Sequence, residues 1–297
     1  MNKTNIGYCT HTWNATHGCS PVSDGCRSCW AEAMAKRLAA MGAPHYDPTD
    51  PFKVVCMPEK LDEPIRKTKP SVIAVSFMGD AFHEDVPDEF LAEMFAIMAI
   101  APQHRFIVLT KRAKRMYEFT SKIAAGDAGL GNALRRTGED RLATRMLLAS
   151  ALGVQPGGVK ADFVTPPLGP IPNIMGMVTV ENQEAADERI PWLLKSPFAM
   201  KGLSLEPLLG PVDFRKVPGF NRTALDIRND RWWMISGCES GPHARPMNPD
   251  WARLIRDLCQ IAGVPFYLKQ MMVDGKLSHS PELDGRERKE IPEGMKV

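Results

Sequence analysis

"SVIAVSFMGDAFHEDVPDEFLAEMFAIMAIAPQHRFIVLT" spans residues 71–110. Its opening, "SVIAVSF" (71–77), reads as a buried strand. After a polar turn, "PDEFLAEMFAIMAIA" (87–101) carries apolar residues at helical spacing, with Pro87 at its start. "RFIVLT" (105–110) is strand-like again. Strand, helix and strand in this order predict two parallel strands joined by a right-handed crossover.

The same rhythm continues outward. "KRAKRMYEFTSKIAAG" (111–126) is the next helix, and "NIMGMVTV" (173–180) leads into "NQEAADERIPWLLKS" (182–196). "MKGLSL" (200–205) and "RWWMISG" (231–237) are further strands. "NPDWARLIRDLCQIAG" (248–263) is a helix capped by Asn248, and "VPFYLKQ" (264–270) closes the series. With a first strand near Gly7–Trp13, about seven strands alternate with helices. This predicts an α/β fold with a parallel sheet, closed or nearly closed as a barrel. Two regions break the pattern. Residues 120–172 read as an insertion with a helix at 139–152 and a Gly/Pro-rich end, able to form a lid. Residues 276–297 are charged and turn-rich and read as a surface tail. The expectation is one domain over 1–297.

The chain has 297 residues, 44% hydrophobic and 24% charged, the balance of an ordinary globular protein. A net charge of +2 neither demands nor excludes a nucleic-acid partner. No signal peptide is visible, and no run approaches the roughly 18 apolar residues of a membrane span. A soluble, cytoplasmic protein without a membrane partner is expected. Seven cysteines without an export signal argue against a disulfide framework and leave metal binding or catalysis.

Ligands of parallel α/β folds lie at the carboxyl ends of the strands. Polar residues gather there in this sequence: "SFMGDAFHED", "TKR", "VTVEN", "LSLEP", "SGCESGPHARP" and "LKQ". Just after the first strand, "THGCSPVSDGCRSCWAEAMAKRL" (16–38) sets Cys19, Cys26 and Cys29 at the mouth of a helix. Three thiolates suit an iron–sulfur cube with one iron left open. The helix N-terminus favours the cluster's negative charge, and Gly18 and Gly25 let the backbone bend around it. A zinc knuckle with His17 or His11 as fourth ligand, or three inert thiols, are the alternatives. Cys9, Cys56 and Cys259 read as ordinary core or surface residues.

"TWNATHGCSPVSDGCRSCWAEAMAKR", "SFMGDAFHEDVPDEF", "FIVLTKRAKRM", "IPNIMGMVTVENQEAADERIPWLL", "LSLEPLLGPVDF", "ESGPHARPMNPDWARLIRDLCQIAGVPFYLKQ" and "ELDGR" resemble the bacteriophage-encoded three-cysteine-motif proteins. Those are similar to radical S-adenosylmethionine (SAM) enzymes. The resemblance covers nearly the whole chain outside 120–170. It implies a partial (β/α)6-type TIM-like barrel, a [4Fe–4S] cluster on Cys19, Cys26 and Cys29, S-adenosyl-L-methionine as cofactor, and an external one-electron donor. In that class, reductive cleavage of SAM yields a 5′-deoxyadenosyl radical. The spacing C-x6-C-x2-C departs from the common C-x3-C-x2-C, and Ser28 stands where an aromatic is usual, with Trp30 following instead. By the same analogy Gly79 and Asp80 face the methionine amino group, Glu181 and Asn182 the ribose, and Ser204 and Glu206 the adenosine. Cys238 replaces the second glycine of a Gly-Gly-Glu-Ser-Gly segment. It reads either as a thiol at the barrel mouth, able to donate a hydrogen atom, or as a small buried replacement.

The resemblance also suggests the substrate: a hypermodified pyrimidine, an amino-acid adduct of thymine, in phage DNA. Lys111, Arg112, Lys114 and Arg115 form a basic cluster, and Arg135, Arg136, Arg141 and Arg145 lie in the insertion; such groups clamp phosphates. Trp192, Trp232, Trp233 and Trp251 offer stacking faces. A peptide or small-molecule substrate, or a non-catalytic zinc or iron–sulfur partner protein, are the competing readings.

Overall fold

A computed structural model describes residues 1–125, 172–220, 231–241 and 244–297. The strands are β1 (Asn2–Lys3), β2 (His11–Trp13), β3 (Thr16–His17), β4 (Val55–Cys56), β5 (Val72–Val75), β6 (Arg105–Thr110), β7 (Ile174–Thr179), β8 (Met200–Leu205), β9 (Trp232–Gly237), β10 (Phe266–Val273) and β11 (Lys276–Ser278). The helices are α1 (Trp30–Ala40), α2 (Glu63–Arg66), α3 (Asp88–Ala99), α4 (Ala113–Ala124), α5 (Gln183–Lys195) and α6 (Pro249–Ala262).

Nine strands form one sheet in the order β1-β2-β5-β6-β7-β8-β9-β10-β11. From β2 to β10 every neighbour is parallel. β1 and β11 pair antiparallel at the two edges. The seven expected strands are therefore β2 and β5 to β10. The fold is α/β around a large, mostly parallel sheet. Among the described residues no pairing joins the two edges, so the sheet is not a closed barrel.

The strand order follows chain order, so each crossover advances the sheet in one direction. Crossovers of one hand then put their helices on one face. Strand alternation divides the core accordingly. In β7, Ile174 and Val178 pack with the helices, in one cluster with Phe90, Phe95 and Leu193. Met175 and Met177 point the other way and join Ile107, Trp233, Ile235 and Tyr267. Tyr8, Cys9 and Met295 complete that inner cluster. α3 is buried on nearly every side from Phe90 to Ala99, with Glu93 the one charged residue in that stretch, as its high apolar content requires. α6 begins at Asn248, whose side chain accepts from the Asp250 amide at 2.9 Å. It ends at Gly263 with φ 68°, a left-handed cap that glycine adopts without strain.

One expectation needs revision. The tail is part of the fold, with Leu283 and Met295 fully buried. The Leu268 amide donates to the Arg288 carbonyl at 2.8 Å and Trp233 Nε1 to the Glu290 carbonyl at 3.0 Å. Arg105 Nε reaches the Gly294 carbonyl at 2.8 Å. The helix expected over 111–126 is α4, which runs to Ala124; the insertion's helix at 139–152 lies outside the described residues.

Candidate functional site

The loop between β3 and α1 carries the three cysteines and lies on the carboxyl ends of the strands. Its first anchor is a backbone contact. Gly18 bridges Gly79, which follows β5, and the Gly18 amide donates to the Met78 carbonyl at 3.0 Å. A Cβ on Gly79 would stand 2.3 Å from the Gly18 carbonyl oxygen, so only glycine allows this approach. Gly18 itself has φ 85° and faces the Lys53 carbonyl.

Side chains from successive strand ends hold the rest. After β6, Arg112 donates from Nη1 to Cys19 Sγ at 3.2 Å and from Nη2 to the Ser20 hydroxyl at 2.9 Å and carbonyl at 3.2 Å. Lys111 Nζ reaches the Gly25 carbonyl at 3.4 Å. After β7, Glu181 accepts from the Ser23 hydroxyl and, at 2.7 Å, from Arg189 of α5. After β9, Arg245 bridges Glu239 to Asp24 of the loop. Ser20 also bonds His83 Nε2 at 2.8 Å. The loop is thus held by residues that follow β5, β6, β7 and β9, and Cys29 occupies the N-cap position of α1.

The three thiols are free and half-buried, whereas Cys9, Cys238 and Cys259 are buried. Burial pushes the Cys19 thiol up to about 11, assisted by Asp80 and opposed by Arg112. Burial acts the same way on Cys26. There it is outweighed by Lys111 and by hydrogen bonds from Val22 and Ser23, which leave the thiol below its ordinary value. His17, the alternative fourth ligand, is buried and stacked on Tyr46 with ring centroids 4.4 Å apart. Burial, with Lys60, lowers it to about 4, so the ring is neutral. His11 is at the start of β2, with its Nδ1 against the Thr10 hydroxyl. Among the described residues no three His, Cys, Asp or Glu side chains converge as a metal site.

A family profile described as "Protein of unknown function (DUF5131)" matches residues 3–292. The chain belongs to this family. No curated protein and no solved structure matches it.

In this DUF5131 chain the expected cofactor residues divide into two groups. Asp80 is buried and accepts from the Phe82 amide, the Thr110 hydroxyl and the Lys111 amide. Those bonds tie the turn after β6 to the loop after β5. Asn182 caps α5, accepting from the Ala185 amide at 3.0 Å. Both side chains are engaged in holding the frame. Glu181 is engaged too, between the cysteine loop and Arg189. Ser204 and Glu206 stand differently. Leu203 and Leu205 of β8 pack on the helix side. By alternation Ser204 and Glu206 lie on the inner side. There Glu206 pairs with Lys269 of β10. Gly237 of β9 lies between their strands with its Cβ position 3.5 Å from Glu206 Cγ.

The same count corrects Cys238. It packs with the helix-side core, 1% exposed, and burial raises its thiol. It is the small buried replacement and not a thiol at the mouth. The basic cluster is also spent internally. Arg112 is 8% exposed and Lys111 lies on Gly25. Arg115 donates to the Val86 carbonyl and to Asp88. Only Lys114 of the four stays largely exposed, paired with Glu118 at 3.8 Å. Arg136 and its neighbours lie outside the described residues. Trp232 and Trp233 are buried in the two cores and offer no stacking face.

Sequence reasoning missed Arg245, Ser23 and His83, which hold the cysteine loop. Arg245 sits in "SGCESGPHARP", one of the polar strand-end segments, but nothing local shows that it reaches Asp24.

Proposed function

We propose that this chain is a radical SAM enzyme whose Cys19, Cys26 and Cys29 hold a [4Fe–4S] cluster. One observation carries the reading: the loop bearing all three free thiols is laced across the carboxyl ends of a sequentially ordered parallel sheet. That is where α/β folds place cofactors. The residues fit such a group. Three half-buried thiols share one loop, two cations stand beside them, and Cys26 is biased toward thiolate, the ligating form.

When bound, the cluster supplies an electron for reductive cleavage of S-adenosyl-L-methionine. The chain's own residues bind and exclude water. In this reading the sheet curves as a partial (β/α)6 barrel, and its inner apolar face, from Met175 to Ile235, floors a dry chamber. Gly79 leaves room for backbone approach, and Ser204 and Glu206 face the nucleoside side of the cofactor. Glu181 holds the loop through Ser23.

For the substrate, the resemblance favours a hypermodified pyrimidine in DNA. The internal engagement of Lys111, Arg112 and Arg115 favours a second reading, a peptide or small molecule, because the expected phosphate clamp is absent from these positions. Anaerobic purification with iron and sulfide counts tests the cofactor: about four irons per chain and SAM cleavage on reduction are expected. Stoichiometric zinc without iron would overturn it. Comparing nucleosides from phage DNA made with and without the gene, by mass spectrometry, separates the two substrate readings.

A further inference from the structure

Arg112 is a buried cation whose side-chain donors are shared between two segments of chain. Nε bonds Glu84 at 2.9 Å, and Nη1 lies 3.7 Å from Asp80, both in the segment after β5. The remaining donors go to Cys19 Sγ and to both oxygens of Ser20. Arg112 itself is at the N-cap of α4, fixed by its amide bond to the Thr110 hydroxyl at 2.8 Å. A planar fork with one edge on acid and the other on the cysteine loop fixes direction as well as distance; a lysine ammonium does not.

We propose that Arg112 is a positioning residue: it clasps the Cys19–Ser20 end of the loop onto the sheet and sets the electron affinity of whatever Cys19 ligates. The second half rests on the cluster reading above; the first does not. A hydrogen bond and a positive charge at a ligand sulfur favour the more negative, reduced state of an iron–sulfur centre. Neighbouring cations differ in kind. Lys111 donates to a backbone carbonyl of the loop and not to a sulfur, and Arg245 holds Asp24 at the middle of the loop.

The test uses Arg112→Met, which keeps the volume of the stem, Arg112→Lys, which keeps the charge, and Glu84→Gln at a largely exposed position that cannot by itself unfold the protein. Hydrogen exchange is measured on the metal-free full chain. Amides of residues 19–24 should exchange about tenfold faster in Arg112→Met, less so in Arg112→Lys and Glu84→Gln, with β7 to β9 unchanged. After reconstitution, the reduced-to-oxidised ratio at a fixed poise should fall about tenfold in Arg112→Met, equal to about 59 mV for a one-electron couple, with partial rescue by lysine. Unchanged exchange in all three variants overturns the clasp. An unchanged potential in an iron-loaded Arg112→Met protein overturns the tuning. If the wild type takes up no cluster, the cofactor reading and the tuning role fail together, while the exchange result still decides the clasp.

Discussion

Gly79→Ala probes the contact on which the cysteine loop pivots. The added methyl would meet the Gly18 carbonyl oxygen at 2.3 Å, the Gly18 nitrogen at 2.8 Å and the His17 carbonyl carbon at 3.0 Å. All three are backbone atoms, so no rotamer change relieves the clash. Overpacking of this kind costs about 1–3 kcal/mol. Parting the two loops also stretches the bond from the Gly18 amide to Met78, worth about 1 kcal/mol. The expected loss is therefore about 3 kcal/mol, a hundredfold or so in an equilibrium constant. If the loop lets go before the sheet unfolds, the global loss is limited to the free energy that held the loop, and the remainder appears as local opening. Two assays are therefore run together: urea denaturation for the whole fold, and exchange of the Gly18 amide for the loop. Gly210→Ala is the control, since its Cβ meets only Asn182 Cβ at 3.4 Å and should cost about 0.5 kcal/mol or less. An unchanged urea midpoint with an unchanged Gly18 exchange rate in Gly79→Ala would show that the close approach does not govern the loop.

Three further outcomes are expected. Cys26→Ala should abolish iron uptake and the associated visible absorption, and full iron content in that protein would remove Cys26 from the ligand set. Arg189→Met leaves the Glu181 side chain buried without its partner, since both side chains are at most 2% exposed, and should cost about 3–5 kcal/mol in chemical denaturation; a cost under about 1 kcal/mol would show that the fold does not depend on this pair. His17 is depressed from 6.5 to about 4, chiefly by burial, so the unfolded chain binds the proton first. Stability should therefore fall as pH drops through the window from 6.5 toward 4, and His17→Phe, which keeps a ring against Tyr46, should flatten that part of the profile. An identical pH profile in the variant would assign the acid sensitivity elsewhere.

The strands were legible because a parallel sheet covered on both faces writes itself as short, unbroken apolar runs, and β7 and β9 are buried at every residue. The Asn248 cap and Gly263 stop were legible for equally local reasons. Parity along β9 would also have placed Cys238, two residues beyond Ser236, on the helix side. What could not be read was partnership at long range. "KRAKR" looks like a phosphate clamp until Asp80, Glu84 and Asp88 are folded against it. The tail misled for a related reason. Its average is charged, yet its fold depends on a few residues, Leu283 and Met295 among them, and on backbone pairing with β10. Composition averages away both.

The path of that last segment bears on how the molecule is made. Residues 283–295 follow every strand of the sheet in the chain, yet Met295 and Ile291 pack on the inner face beside Met175, Met200 and Trp233. On the ribosome, β2 to β10 can emerge and pair while this apolar floor is still uncovered. Each nascent chain therefore passes through a stage with its methionine-rich face open to water and to neighbouring chains. Final burial waits for the segment that follows the sheet in the chain, which makes the docking of residues 283–295, and not strand pairing, the step that ends the exposure.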